Sequence, residues 1–267
     1  MSISINGTDG LTFNDASTQA SAQVGMKNRI INGGLILNQR GYVSGTALAS
    51  GAYGHDRFKG GASGGTYTFT QGALGVNTTI TVTAGSLIQV IEGCNVAEGG
   101  TYVLSWTGTA QGKLNSGSYG SSGTVTVTGW TPGTNLPVEF NTGTVGNIQL
   151  EKGSTATSFD YRPYGTELAL CQRYFYWNGG SNDAAFFNVN TDNIAGSYTF
   201  KVPMRTAPTV TAYDGTSAGK VSKIGVGQNA ATNILNISNI GFGLINATSI
   251  GLGVGGALFN VMASAEL

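Results

Sequence analysis

The chain has 267 residues, enough for one large domain or two medium-sized ones. Glycine is very frequent, with 43 residues, whereas charged residues make up only 10% of the chain and sum to a net charge of zero. The basic residues are scattered singly, so the sequence lacks a cluster that could neutralise a row of phosphates, and we expect no binding to nucleic acid. Aromatic and β-branched residues occur throughout, which argues against disorder.

The N-terminal segment predicts an arm. Its first residues, MSISINGTDG, lack the charged-then-apolar layout of a signal peptide, so we expect synthesis in the cytoplasm without the usual export. Two short alternating pieces, Ser2–Ile5 and Leu11–Phe13, precede a polar run of small residues from Ala16 to Gln23. Residues 1–27 therefore predict an attachment or strand-exchange arm, because they carry too little apolar surface for a core of their own.

Residues 28–164 predict a β-sandwich. Several runs alternate threonine with apolar or aromatic residues, as half-buried strands do, including Thr66–Thr70, Thr79–Thr83 and Thr124–Thr128. Glycine pairs and clusters of Ser, Asn and Gly separate these runs and are typical of turns. Many short strands at near-regular spacing predict an all-β fold with a jelly-roll-like antiparallel β-sandwich.

One short connecting helix is predicted from Gly165 to near Trp177. Thr166 can cap it, and Glu167 lies in the first turn, where a negative charge is favourable. One face of this helix would be apolar and carry Leu168, Cys171 and Phe175.

Residues 165–267 predict a second, distal β domain after this helix. Pro203 and Pro208 bracket a turn or bulge. No charged residue occurs between Ile224 and Ala265, but asparagines and glycines interrupt this stretch too often for a membrane-spanning helix. We expect short strands here that are buried against neighbours, including neighbours from other subunits.

Three groups of residues resemble phage tail fibre proteins. The pieces KNRIINGG (27–34), NQRG (38–41) and YGHDRF (53–58) resemble the opening of a β-sandwich domain common in that family. The segment QLEKGSTATSFDYRPY (149–164) is similar to its closing strands. ELALCQRY (167–174), PMRTAP (203–208) and ASAEL (263–267) are similar to the distal domain that often follows.

The resemblance is strongest to short tail fibres of phages that infect Gram-negative hosts, Acinetobacter phages among them. It implies a homotrimer in the virion, with 1–27 as the virion-attachment arm on a tail or baseplate protein. It also implies that the sandwich (28–164) carries a distal receptor-binding domain (165–267), which binds capsule or lipopolysaccharide during adsorption. The expected partner is therefore bacterial surface polysaccharide, with no nucleic acid and no membrane insertion.

Two alternatives stay open. A capsule depolymerase, either a glycoside hydrolase or a lyase, needs a pair of carboxylates in a cleft. Glu92, Glu139 and Glu151 lie on predicted strands and could come together, but no β-helix repeat accompanies them. The other alternative is a purely structural tail spacer or adaptor. We expect a binding protein, not an enzyme.

Aromatic residues beside polar loops are the candidate sugar site. A flat ring stacks on the apolar side of a pyranose while amides and carboxylates bind its hydroxyls. We predict a platform of Trp177 and Tyr176 with the following loop, and a second loop beyond it; the polar and aromatic residues of these loops are Asn178, Asn182, Asp183, Tyr213 and Asp214. Trp106 and Trp130 could also serve, although burial in the core is the competing prediction for each tryptophan.

No catalytic residue, metal site or cofactor is predicted. His55, the sole histidine, has no GxSxG nucleophile, so a structural hydrogen bond is expected for it. Asp56 and Arg57 are expected to pair inside the sandwich, and Cys94 and Cys171 to be packed thiols. The acidic residues lack the spacing of a calcium loop.

Overall fold

The computed structural model describes residues 4–6, 10–12, 18–19, 26–179, 184–188, 193–214, 217–223, 229–248 and 256–267. Antiparallel strands dominate these ranges and one α-helix accompanies them, so the predicted all-β class with one short helix is confirmed. Nothing within these ranges forms a helix long and apolar enough to span a membrane.

Three short strands near the start of the chain form a sheet of their own. They are β1 (Ser4–Asn6), β2 (Gly10–Thr12) and β3 (Thr18–Gln19), paired antiparallel in that order. In the described residues, none of these strands pairs with the two larger sheets. The three described strands therefore form a separate small sheet.

The second sheet has eight strands and forks into two branches that share one core, and we call it the sandwich. They are β4 (Ala47–Leu48), β5 (Lys59–Phe69), β6 (Ile80–Ile91), β7 (Gly100–Thr107), β8 (Gly112–Leu114), β9 (Val125–Trp130), β10 (Leu136–Phe140) and β11 (Gly143–Lys152), with a 3-10 turn at Gly93–Val96. β6 pairs with β10 along one half and with β11 along the other, after which β11 pairs with β7. Both branches of this fork contribute apolar side chains to one shared core.

Strand β6 shows how the sequence builds that core. Ile80 and Val82 point inward at even positions, whereas Leu87 and Ile91 point inward at odd positions. Two register shifts against β5 change the phase between the two halves, and Gly85 lies between these shifts at φ +66°. Glycine adopts this left-handed conformation without the cost that a Cβ imposes, so the strand keeps both halves facing the core.

The helix is shorter than predicted. It runs over α1 (Tyr164–Gln172), its cap position is Pro163, and no side chain caps it, so the prediction that Thr166 caps the helix was wrong. The backbone leaves the helix because other segments bind it: Arg205 N–H donates to Arg173 O over 2.8 Å, and Ala265 N–H donates to Tyr174 O over 2.8 Å. The residues that follow form a strand instead of continuing the helix.

The third sheet, which we call the C-terminal sheet, also has eight strands. They are β12 (Phe175–Trp177), β13 (Ala184–Asn188), β14 (Asn193–Thr199), β15 (Thr209–Tyr213), β16 (Lys220–Lys223), β17 (Asn229–Leu235), β18 (Gly241–Thr248) and β19 (Gly256–Ser264). The first half of β19 pairs with both β13 and β16, so six strands form a closed ring. Its second half carries β12 on one side and β15 on the other.

Closure of this ring bears on the expectation that other subunits cover the C-terminal strands. A closed ring has no unpaired edge, whereas an open sheet invites pairing with another chain. In the described residues the six strands of the ring therefore have both edges paired within one chain, whereas β12 and β15 pair with β19 alone. The expected burial of these strands against other subunits stays a prediction.

Candidate functional site

The segment 265–267, after β19, lies against the sandwich. The Glu266 carboxylate forms ion pairs with Arg57 and with Arg40, the latter over 2.9 Å. The Tyr53 hydroxyl donates a hydrogen bond of 2.6 Å to Leu267 O. These contacts tie the C-terminal sheet to the sandwich.

Arginines and aromatic rings stack at the same junction. The Arg40 guanidinium lies 3.6 Å from the ring centroid of Phe175, and that of Arg57 lies 3.6 Å from the centroid of Tyr174. A cation over an aromatic face is attracted by the ring quadrupole, more strongly when water is excluded. The rings thus hold both guanidinium groups in place.

Asp56 and Arg57 are both buried, but their expected pairing was wrong. Asp56 lies 3.8 Å from Arg40 and accepts two hydrogen bonds of 2.7 Å from Gln39, whereas Arg57 turns to Glu266. Burial raises the pKa of Asp56, and Arg40 and the hydrogen bonds from Gln39 oppose that shift. Arg57 adopts φ +71°, and its guanidinium contacts Glu266 and donates a hydrogen bond to Val90 O.

A cavity of about 540 Å³ opens between the sandwich and the C-terminal sheet, and we call it the cleft. The described residues that line it from the sandwich side are Gln39, Arg40, Gly41, Gly51, Ala52 and Tyr53. Those from the C-terminal sheet are Phe175, Trp177, Tyr213, Met262 and Ser264.

Strand alternation explains the C-terminal wall of the cleft. Phe175 and Trp177 project from the same face of β12, because successive side chains in a strand point to opposite faces. They pair with Ser264 and Met262 of β19, which also line the cleft. Tyr213 comes from β15 on the other side of β19. Three neighbouring strands therefore present one continuous wall.

Two of the sequence-predicted residues meet in this wall. The rings of Trp177 and Tyr213 lie edge to face, with centroids 5.2 Å apart and planes inclined at 80°. Both side chains are half-buried. The structure thus joins two aromatic residues that the sequence analysis placed apart, Trp177 near the end of the predicted helix and Tyr213 on a loop.

None of the other predicted sugar-site residues that the structure describes lines the cleft. Tyr176 is 2% exposed and its hydroxyl lies 2.8 Å from that of Tyr198, so burial in the core corrects its assignment as a platform. Asn178 accepts a hydrogen bond from Val261 N–H and Asp214 accepts one from Ser217 N–H, so both fix the backbone and neither lines the cleft. The remaining two predicted residues, Asn182 and Asp183, lie outside the described residues.

Sequence reasoning missed the sandwich side of the cleft. Gln39, Arg40 and Tyr53 are far along the chain from Phe175, and no local pattern reveals a contact across such a separation. Assigning a strand at Phe175–Trp177 would have predicted which of these side chains line the cleft. Its alternation separates Phe175 and Trp177 on one face from Tyr176 on the other.

His55 forms the structural hydrogen bonds predicted for it. Its Nδ1 lies 2.9 Å from the Tyr67 hydroxyl and its Nε2 lies 3.1 Å from Gln71 Oε1, and the ring is fully buried. Burial lowers the pKa of His55 to about 4, although the hydrogen bond with Gln71 opposes the shift. The imidazole is therefore neutral near pH 7.

The three glutamates weighed for glycoside cleavage lie in separate networks. Glu92 accepts a hydrogen bond from the Tyr174 hydroxyl, Glu139 pairs with Lys113, and Glu151 accepts hydrogen bonds from Thr157. Burial raises the pKa of Glu139, but hydrogen bonds from Ser86, Lys113 and Tyr119 lower it more, so the net shift is downward. A general acid needs the opposite shift.

The other two tryptophans and the two cysteines lie away from the cleft. Trp106 is buried and its indole N–H donates to Ala110 O, whereas Trp130 is half-buried at the edge of the sandwich core. Cys171 is buried as predicted, but Cys94 is exposed, so its prediction as a packed thiol was wrong. Across the described part of the chain, no group of His, Cys, Asp and Glu could hold a metal ion.

Comparisons with protein-family models, with curated proteins and with solved structures found no match.

Proposed function

We propose that the chain binds saccharide in the cleft and serves as a phage tail fibre protein that attaches to host capsule or lipopolysaccharide during adsorption. The observation that carries the binding proposal is the Trp177–Tyr213 pair in the wall of a 540 Å³ cavity whose opposite side holds Arg40 and Gln39. The tail fibre assignment is supported by the sequence resemblance described above.

The chemistry of the cleft suits a sugar. Aromatic rings offer flat apolar surface for the C–H side of a pyranose, and guanidinium and amide groups can hydrogen-bond its hydroxyls. The volume lies within the range of roughly 300–1,000 Å³ that is common for small-molecule sites.

The wall of the cleft is held in place before any ligand arrives. Trp177 lies on β12, which pairs with β19, and the same β19 pairs with the strand that carries Tyr213. A side chain that is already ordered loses less conformational entropy on binding. The cleft therefore supports binding without rearrangement of the sheet.

Several copies of the chain would strengthen a weak site. We propose that the chain acts as a homotrimer and that residues 1–27 attach it to a tail or baseplate protein, as the sequence resemblance implies. Because linked sites convert later binding events into intramolecular ones, avidity can exceed single-site affinity by factors of about 100 to 10,000.

The direct test measures binding of the purified chain to polysaccharides extracted from candidate Gram-negative hosts, together with competition for phage adsorption. We expect saturable binding to the polysaccharide of susceptible strains and a matching loss of adsorption when the protein is in excess. Binding without competition would favour the spacer, and release of reducing ends from the polysaccharide would favour the depolymerase.

A further inference from the structure

We infer that the cleft takes an uncharged saccharide, built from neutral hexose-type residues, in preference to one rich in uronic acids. This inference rests on the proposed saccharide binding and names the class of sugar for that site. It follows from how the charges around the cleft are arranged.

A single charged side chain, that of Arg40, occurs among the described residues that line the cleft. An arginine in a binding site commonly indicates an anionic ligand, because its fork of N–H groups matches a carboxylate. In this cleft, however, carboxylates of the chain itself already face that guanidinium.

Two carboxylates compensate Arg40 from behind the cleft. Glu266 Oε1 lies 2.9 Å from its Nη2, and Asp56 Oδ1 lies 3.8 Å from its Nη1. Glu266 also pairs with Arg57, so two guanidinium groups face two carboxylates in this cluster. The nearby Lys59 Nζ donates to Leu267 O over 2.5 Å, and Lys59 is not among the lining residues.

Because Glu266 and Asp56 lie 2.9 and 3.8 Å from the Arg40 guanidinium, a carboxylate on the ligand that bound Arg40 would also lie in their field. Repulsion from the first two offsets much of the attraction to the third, while the ligand's charge still loses its hydration. A hydroxyl group can accept a hydrogen bond from Arg40 without that cost.

The rest of the cleft favours the same class of ligand. Phe175, Trp177 and Met262 supply apolar and aromatic surface. Gly41 and Gly51 leave open space beside the backbone, since a Cβ at either position would meet no atom within 4 Å. A neutral sugar ring can thus lie close to the backbone on one side and to the aromatic wall on the other.

The test uses the envelope polysaccharide that the full chain binds, in its native form and after reduction of its carboxyl groups to alcohols. Isothermal titration calorimetry at low and high ionic strength measures both. We expect the bound polysaccharide to be neutral, or its reduced form to bind at least as tightly, with less than about a threefold dependence on salt.

Tighter binding of the acidic form, weakened strongly by salt, would overturn the inference and leave saccharide binding itself intact. Absence of binding to every host polysaccharide would instead overturn the proposed function, and this inference with it. The two failures are therefore distinguishable.

A charge variant adds a second test. Glu266→Gln removes one of the two carboxylates that face Arg40, so this variant should gain several-fold in affinity for the acidic form, and salt should abolish the gain. Near-UV circular dichroism checks that the variant is folded; if it is not, the comparison of native and reduced polysaccharide decides the question by itself.

Discussion

The indole of Trp177 meets the phenol ring of Tyr213 edge to face, at 5.2 Å between centroids, although the two residues lie on different strands. Strand β19 lies between them and pairs with both of their strands. The aromatic wall of the cleft is therefore a product of sheet pairing.

Trp177→Ala should weaken saccharide binding by about tenfold or more, equivalent to about 1.4 kcal/mol, because the wall loses its largest ring. The free energy of unfolding should fall by less than about 2 kcal/mol, since the side chain is half-buried. Calorimetric titration and urea unfolding measure the two effects.

Trp130→Ala is the matched control for that variant. Trp130 is also half-buried, but it lies on the sandwich away from the lining of the cleft. Its replacement should leave affinity within about twofold of the wild type. Equal loss of affinity in both variants would show that the effect is not local to the cleft.

Glu266→Gln should lower the free energy of unfolding by about 3 kcal/mol, because Arg57 is 1% exposed and loses the charge of its partner. Glu98→Gln is the control, as its pair with Arg29 is largely solvated and its loss should cost less than about 1 kcal/mol. Urea unfolding of both variants gives the comparison. Equal losses of unfolding free energy in the two variants would contradict a larger stabilisation by the buried pair.

The single histidine should titrate near pH 4 in the folded chain. Burial lowers the pKa of His55 from 6.5 to about 4, so between these values the unfolded chain binds the proton more readily than the folded one. Stability from the neutral ring is present above pH 6.5 and is lost as the pH falls toward 4, by up to about 1.4 kcal/mol per pH unit. The imidazole resonance in an NMR pH titration measures this pKa, and a midpoint near 6.5 would be incompatible with a buried ring.

Gly85→Ala should be much more destabilising than Gly129→Ala. Both glycines have positive φ, +66° and +63°, so an added Cβ costs each about 1 kcal/mol of backbone strain. At Gly85 that Cβ would also collide with Gly64 O, whereas at Gly129 it would meet nothing within 4 Å. Thermal unfolding should separate the two variants, and similar midpoints would argue against the register shifts between β5 and β6.

Sedimentation equilibrium should give three times the 27.3 kDa mass of one chain at micromolar concentration. Trimers are closed assemblies of repeated contacts, so one species should dominate over a wide concentration range. A monomer at all concentrations would refute the proposed homotrimer.

Sequence patterns predicted the β class because alternation is local, and it survives as alternating burial in β8, β10 and both halves of β6. They failed at Phe175–Trp177, where an apolar run follows a helix and could continue it. The choice of strand there depends on pairing with β19, more than 80 residues away by sequence number. For the same reason the sequence predicted only the C-terminal wall of the cleft, with Trp177 and Tyr213. Arg40 and Tyr53 on the opposite side reach the cleft through tertiary contacts with Phe175 and Leu267.

Indole N–H resonances test saccharide binding in the cleft most directly. The chain has three tryptophans, and ¹⁵N-labelled protein titrated with host polysaccharide fragments should shift the Trp177 signal, assigned through Trp177→Phe. Trp106 and Trp130 should stay unchanged, because the first is buried and neither lines the cleft. Saturable binding that leaves Trp177 unmoved while either of the others shifts would contradict the account.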